Sequence, residues 1–434
     1  MSVAKHGPPT PTDHYGLAEH TLPSVGLGGY VIPEDLRFVI REGRGGRVIT
    51  SHGREYVDYV CGAGATIIGH NHPAVIEAVQ KQAAKGMHFF GALNETAVEL
   101  SEVLVDAIPC AEHIIFASTG SEATAYAMRV ARAYTNRDKV LKFEGAYHGN
   151  HDYASFSQFP TVPANYPQAT ADSCGVPRVL QDTMLVAPYN GLEAVQQIVA
   201  EHKDDIAAII VEPAQRVIFP QPGFLQGLRE IADANGIVLI FDEVVTGFRL
   251  AFGGGQEYFG VKPDLASYGK IVGGGGPVSC VAGRADILEC THPGRKDKPG
   301  YAYINGTLHG NPVAAAAGLA TISVLSEPGF YEQLKEHCAR YRQALQGVLD
   351  GNGIPARITG QQSLWQFLFA DKDAANQMEV LASDMGRSET LDSTLLRNGV
   401  YVLPNTRRFF SPVHDEHDLD QTLTALDAAC KAVA

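Results

Sequence analysis

The sequence predicts an α/β fold: a large domain with a mostly parallel central sheet covered by helices, plus a smaller α+β domain built from both termini. Three observations carry this. Short Val/Ile-rich runs alternate with helical patterns through the middle of the chain, no repeat or low-complexity linker interrupts them, and both ends change pattern. Uninterrupted apolar strands between helices mark strands buried on both faces, which is how parallel sheets are built.

In chain order, residues 36–60 read as a small β-meander. Strands follow at His113–Ala117, 140–143, Met184–Ala187, 207–211, 237–241 and 278–282. Helical stretches lie between them at 122–134, Leu192–His202 and Phe224–Asn235. Residues 312–326, 331–349 and 417–433 are helical; in the last, Leu419, Leu423 and Leu426 recur at helical spacing. Residues 75–315 are therefore expected to form the large domain, and 1–74 with 316–434 the small one.

Composition narrows the function. With 34 Lys+Arg against 48 Asp+Glu the formal charge is −14, which argues against nucleic acid, whose phosphates need a basic face. Seven scattered cysteines without a CxxC pair read as free thiols in a reducing compartment, with no metal-ligand set. No apolar stretch suits a signal peptide or a spanning helix, so a cytoplasmic enzyme without a membrane partner is expected. Glycine stands out: 45 residues against the roughly 30 that an average of about 7% would place here.

The polar groups collect where doubly wound sheets bind ligands, at the carboxyl ends of the strands. Ser118, Thr119, Gly120 and Ser121 open directly into a helix, an arrangement that serves a phosphate or simply caps the helix. Tyr147 and His148 sit among glycines in Glu144–Gly149, either stacking on a flat cofactor or buried in a loop. Glu212 and Asp242 follow two further strands. Lys270 lies between an apolar segment and Gly273–Gly276, where burial would lower its pKa toward nucleophilic amine chemistry. Phosphate cradle, stacking ring, strand-end carboxylate and buried lysine together are what pyridoxal 5′-phosphate requires.

The chain resembles the class III aminotransferases of the fold-type I pyridoxal-phosphate enzymes, in the glutamate-1-semialdehyde aminomutase branch. The matching segments are Gly69–Pro73, Ser118–Ala123, Phe143–Gly149, Val211–Pro213, Asp242–Arg249, Gly269–Pro277 and Gly306–Pro312. The resemblance implies Lys270 as the Schiff-base lysine and proton shuttle, and Asp242 as the partner of the pyridinium nitrogen. It implies Thr119, Gly120 and Ser121, beside Ser118, at the phosphate, and Tyr147 and His148 at the cofactor's face, His148 as the stacking ring. Glu212 would stand behind the cofactor. Thr307 would reach the phosphate of a neighbouring subunit, making the active unit a homodimer with shared sites. The implied activity is transfer of an amino group between an amine or amino acid, including β-amino acids, and a keto acid or aldehyde. Intramolecular aminomutation is the alternative.

Two departures fall where substrate contacts are expected. Pro23–Tyr30 replaces the aminomutase's Val-Asn-Ser-Pro-Val-Arg-like segment, and no arginine precedes Arg37. Ala214–Phe219 replaces a smaller Gly/Asn-containing version. A substrate carboxylate wants a planar, always-charged fork, and the candidates are Arg407, Arg408 and Arg216. Phe89, Phe90 and Tyr30 could line an apolar pocket instead.

Overall fold

A computed structural model describes residues 14–23, 29, 32–162 and 165–434. The meander forms as three antiparallel strands, β1 (Ile40–Arg44), β2 (Arg47–Thr50) and β3 (Glu55–Asp58). Helices α1 (Pro73–Lys85) and α2 (Glu95–Ala107) lead into β4 (His113–Ala117). The alternation then runs α3 (Gly120–Thr135), β5 (Lys139–Phe143), β6 (Met184–Ala187), α4 (Leu192–His202), β7 (Ile206–Val211), α5 (Phe224–Asn235), β8 (Val238–Asp242), β9 (Leu265–Tyr268) and β10 (Ser279–Gly283).

These strands form one seven-stranded sheet in the order β4-β10-β9-β8-β7-β5-β6. Strands β6, β5, β7, β8 and β9 are parallel, whereas β10 runs antiparallel to both β9 and β4. Every residue of β7 (Ile-Ala-Ala-Ile-Ile-Val) and of β8 is buried, as expected of strands covered on both faces. Strand β9 is absent from the sequence-based expectation. Its Leu-Ala-Ser-Tyr run is too short and too weakly apolar to stand out by pattern, and sheet neighbours on both sides define it.

Beyond the sheet, α6 (Pro312–Leu325) carries buried alanines and packs against α1 and α2. Helix α7 (Phe330–Gly351), strands β11 (Arg357–Thr359) and β12 (Leu364–Leu368), helix α8 (Met385–Arg397), strands β13 (Val400–Tyr401) and β14 (Arg408–Phe409), and helix α9 (Glu416–Val433) follow. Strand β13 joins the N-terminal meander by pairing parallel to β3, so the two chain ends share a sheet. Among the described residues no single helix is long and apolar enough to cross a membrane.

Candidate active site

Six strands point their carboxyl ends to one rim of the sheet, and all but β6 carry a predicted site residue at that end or within a few residues of it. Strand β4 runs into Ser118, β5 into the 144–149 loop, β7 into Glu212, β8 ends on Asp242, and β9 stops just before Lys270. Topology alone therefore assembles residues separated by up to about 150 positions in the chain.

Lys270 opens a 3₁₀ turn with φ +52°, a left-handed conformation that a long side chain adopts only at a cost of order 1–3 kcal/mol. The turn is held from behind by α6, whose Gly318 lets the helix backbone touch it: a Cβ there would lie 2.2 Å from Val272 O. Burial, seconded by the Arg407 guanidinium, lowers the Lys270 ammonium to about 8, while Asp242 and Glu212 act in the opposite direction. A buried amine near neutrality is a nucleophile and a base.

Asp242 is buried, with Oδ1 accepting from Val244 N at 3.1 Å and Oδ2 2.7 Å from His148 Nδ1. His148 is itself wholly buried. The ring expected to stack, His148, is here tied through Nδ1 to the Asp242 carboxylate. Tyr147, 38% exposed, presents its ring at the surface of the loop. Glu212, also buried, accepts from Tyr147 N at 3.2 Å through Oε2 and faces Arg407 Nη1 at 3.5 Å through Oε1.

At the head of α3 the two readings of Ser118–Ser121 prove compatible. Thr119 caps the helix, its hydroxyl accepting from Glu122 N, and the Glu122 carboxylate takes the amides of Ser118 (2.7 Å) and Thr119 (3.3 Å) in a capping box. This leaves the Gly120 and Ser121 amides at the positive end of the dipole for an anion. Gly120 is required there, since a Cβ would stand 2.8 Å from Val244 Cγ1.

The three candidate arginines separate. Arg407 is mostly buried beside Glu212, and its Nη1 has no hydrogen-bond partner. Arg408 belongs to the core: it pairs with the buried Asp392 and lies 4.9 Å from the centre of the Phe367 ring. It is therefore a structural cation and not a substrate ligand. Arg216 adopts φ +61°, donates from Nε to Gly145 O at 3.2 Å and lies 5.6 Å from the Tyr147 and Phe159 ring centres. Thr307 is exposed and lines a separate surface cleft of about 860 Å³ with Phe89, Phe90, Leu93 and His309. Tyr30 and residues 24–28 of the divergent N-terminal segment lie outside the described residues.

Sequence reasoning missed two buried cations. Arg249 donates to Val245 O (3.1 Å), Ser363 Oγ (3.1 Å) and Gly64 O, tying the Asp242 loop to the opposite wall. Lys142 is fully buried in β5. The signal for the second was a lysine inside the apolar run of residues 139–143.

The donor set fits pyridoxal phosphate. It comprises free helix-head amides for the phosphate, a carboxylate clamped by an imidazole for the ring nitrogen, an exposed aromatic face and a buried amine. Residues 31–430 match the family model described as aminotransferase class-III. Glutamate-1-semialdehyde 2,1-aminomutase from Desulforamulus reducens is 39% identical over 400 residues, covering 91% of this chain and 90% of that protein. The crystal structure of an omega-transaminase from Sphaerobacter thermophilus matches with a TM-score of 0.90 and 31% identity, over 96% of each chain. A transaminase solved with pyridoxal phosphate bound matches with a TM-score of 0.87 and 26% identity, again over 96% of each chain.

Proposed function

The chain belongs to the class-III aminotransferases, the pyridoxal-phosphate-dependent enzymes of fold type I, and from that premise we propose that it transfers an amino group from an amine or amino acid to a separate carboxylate-bearing carbonyl acceptor. One observation supports a carboxylate on the substrate: Arg407 reaches the site with a buried Nη1 that has no hydrogen-bond partner. A guanidinium nitrogen in a 3.5 Å ion pair with Glu212 suits a carboxylate.

The cofactor, when bound, supplies the carbonyl carbon that takes the amino group and a protonated ring that accepts electron density. The chain does the rest. Asp242, oriented by His148 Nδ1, holds the proton of the ring nitrogen. The Gly120 and Ser121 amides, with the dipole of α3, hold the phosphate. Tyr147 offers the stacking face. Lys270 Nζ, neutral in part because its pKa falls to about 8, attaches the cofactor and then carries a proton to and from the substrate carbon. Arg407 orients the acceptor through its carboxylate. The two half-reactions share these groups, so donor and acceptor follow one another at a single site.

Thr307 and the apolar residues around it suit a second copy of the chain. Met87, Phe89, Phe90, Leu93, Tyr303 and Leu308 are all exposed, Leu93 to 91%. Such a patch is expensive in water, and covering it with a partner would carry Thr307 toward the partner's phosphate site.

A second reading, intramolecular aminomutation, is favoured by the 39% identity to an aminomutase. Incubating the cofactor-loaded protein with alanine or glutamate, with and without a keto acid, separates the two. Continuous product release only with the acceptor present is expected. In Arg407→Met the KM for the keto acid should rise at least tenfold, with that for an uncharged aldehyde nearly unchanged. Isomerisation of one amino-aldehyde without a co-substrate, or an unchanged keto-acid KM, would sink the proposal.

A further inference from the structure

We propose that Lys142 is a positioning residue whose buried ammonium preassembles the cofactor-facing loop, residues 143–156, before the cofactor arrives. This rests on the cofactor assignment above and adds to it a group that touches neither cofactor nor substrate. Lys142 sits in β5 with no exposed surface. Its Nζ donates to Ala146 O at 3.2 Å, Ala154 O at 3.1 Å and Phe156 O at 2.5 Å. An ammonium has three donors, and here all three go to carbonyls at the two ends of a single loop.

The ends matter because of what lies between them. Tyr147, the exposed ring, follows Ala146 directly, and His148, the imidazole on Asp242, comes next. The far side of the same turn is held by α3: Thr124 Oγ1 donates to His148 O and lies 3.2 Å from His151 Nε2. Lys142 is thus the lower tie and Thr124 the side tie on a segment that is otherwise irregular. Burial lowers the Lys142 ammonium to about 7, with Arg216 acting in the same direction, while Asp172, Glu212 and Asp242 favour the charged form and the three carbonyls accept its hydrogen bonds. Asp172 in turn takes the amides of Gln158 and Phe159, just past the loop.

A methionine would fill about the same volume without the burden of burying a charge. What methionine cannot do is satisfy three converging carbonyls. The lysine acts as a structural cation would, drawing distant oxygens to one point, and the benefit falls on the loop that faces the cofactor.

Hydrogen–deuterium exchange on the wild-type protein freed of cofactor tests this without a mutation. Amides of residues 146–156 should exchange as slowly as in the loaded protein, within about threefold. Fast exchange that slows only on adding pyridoxal phosphate would overturn the proposal. In Lys142→Met the dissociation constant for pyridoxal phosphate should rise at least tenfold, and the visible circular dichroism of the bound cofactor should weaken. Lys142→Arg, which keeps charge and donors, should recover most of both. A Lys142→Met protein with wild-type affinity and spectrum would refute the positioning role. Failure of the wild type itself to bind pyridoxal phosphate would instead refute the cofactor assignment on which it rests.

Discussion

At the scale of single residues, the site depends on charges placed where water cannot reach them. Lys270 illustrates the cost and the use. Its folded pKa, about 8, lies below the ordinary 10.5, so the unfolded chain binds the extra proton between those values. Its burial therefore opposes folding most at pH below 8, and the penalty fades as pH rises toward 10.5. Chemistry runs the same way, since only the neutral amine attacks a carbonyl. The rate at which cofactor-free protein recombines with pyridoxal phosphate should climb with pH and level off above about 8. A flat profile between pH 6.5 and 9.5 would contradict a lowered Lys270. Arg407 and Arg408 make the complementary point. Sequence offers them as equivalent, yet one meets a lone carboxylate in the site and the other is locked to Asp392 beneath Trp365. Adjacent side chains at the start of a strand point to opposite sides, and which side faces the cofactor is not written locally.

At the scale of elements, α6 and the 3₁₀ turn after β9 behave as one unit. Gly318 is the only described residue of α6 without a side chain, and it faces Val272 O at a distance no Cβ tolerates. Gly318→Ala should push the helix off the turn that begins at Lys270. Overpacking of this kind costs about 1–3 kcal/mol, so calorimetry should find a melting temperature lowered by a few degrees, with weaker cofactor retention. An alanine variant with unchanged stability and affinity would mean the turn is held by other means. The head of α3 shows why sequence left two readings standing. A cap and an anion site draw on the same residue types, and only the structure shows Glu122 taking the amides of Ser118 and Thr119 while those of Gly120 and Ser121 remain. The strands and helices expected from strong apolar periods were legible; β9 was not, because four residues with alanine and serine among them carry no period, and α1, α2, α8 and β11 to β14 were likewise not expected.

At the scale of the whole molecule, the exposed apolar group around Leu93 predicts self-association. Leu93→Glu should halve the mass measured by light scattering and reduce turnover at least tenfold, since Thr307 would no longer reach a neighbour's site. A variant that keeps the wild-type mass would show that this patch is not the interface. Much of this protein was determined by sequence alone: the alternating core, the strand-end positions of Ser118–Ser121, Glu212, Asp242 and Lys270, and through them the cofactor. Those features are local, since a strand, its turn and the residue that follows are contiguous. The tertiary structure decided the rest: which ring is exposed, which arginine faces the site, and which buried cations hold the loops. Each of those depends on groups far apart in the chain meeting in a medium of low polarity, where a partner's presence or absence outweighs any preference a residue carries by itself.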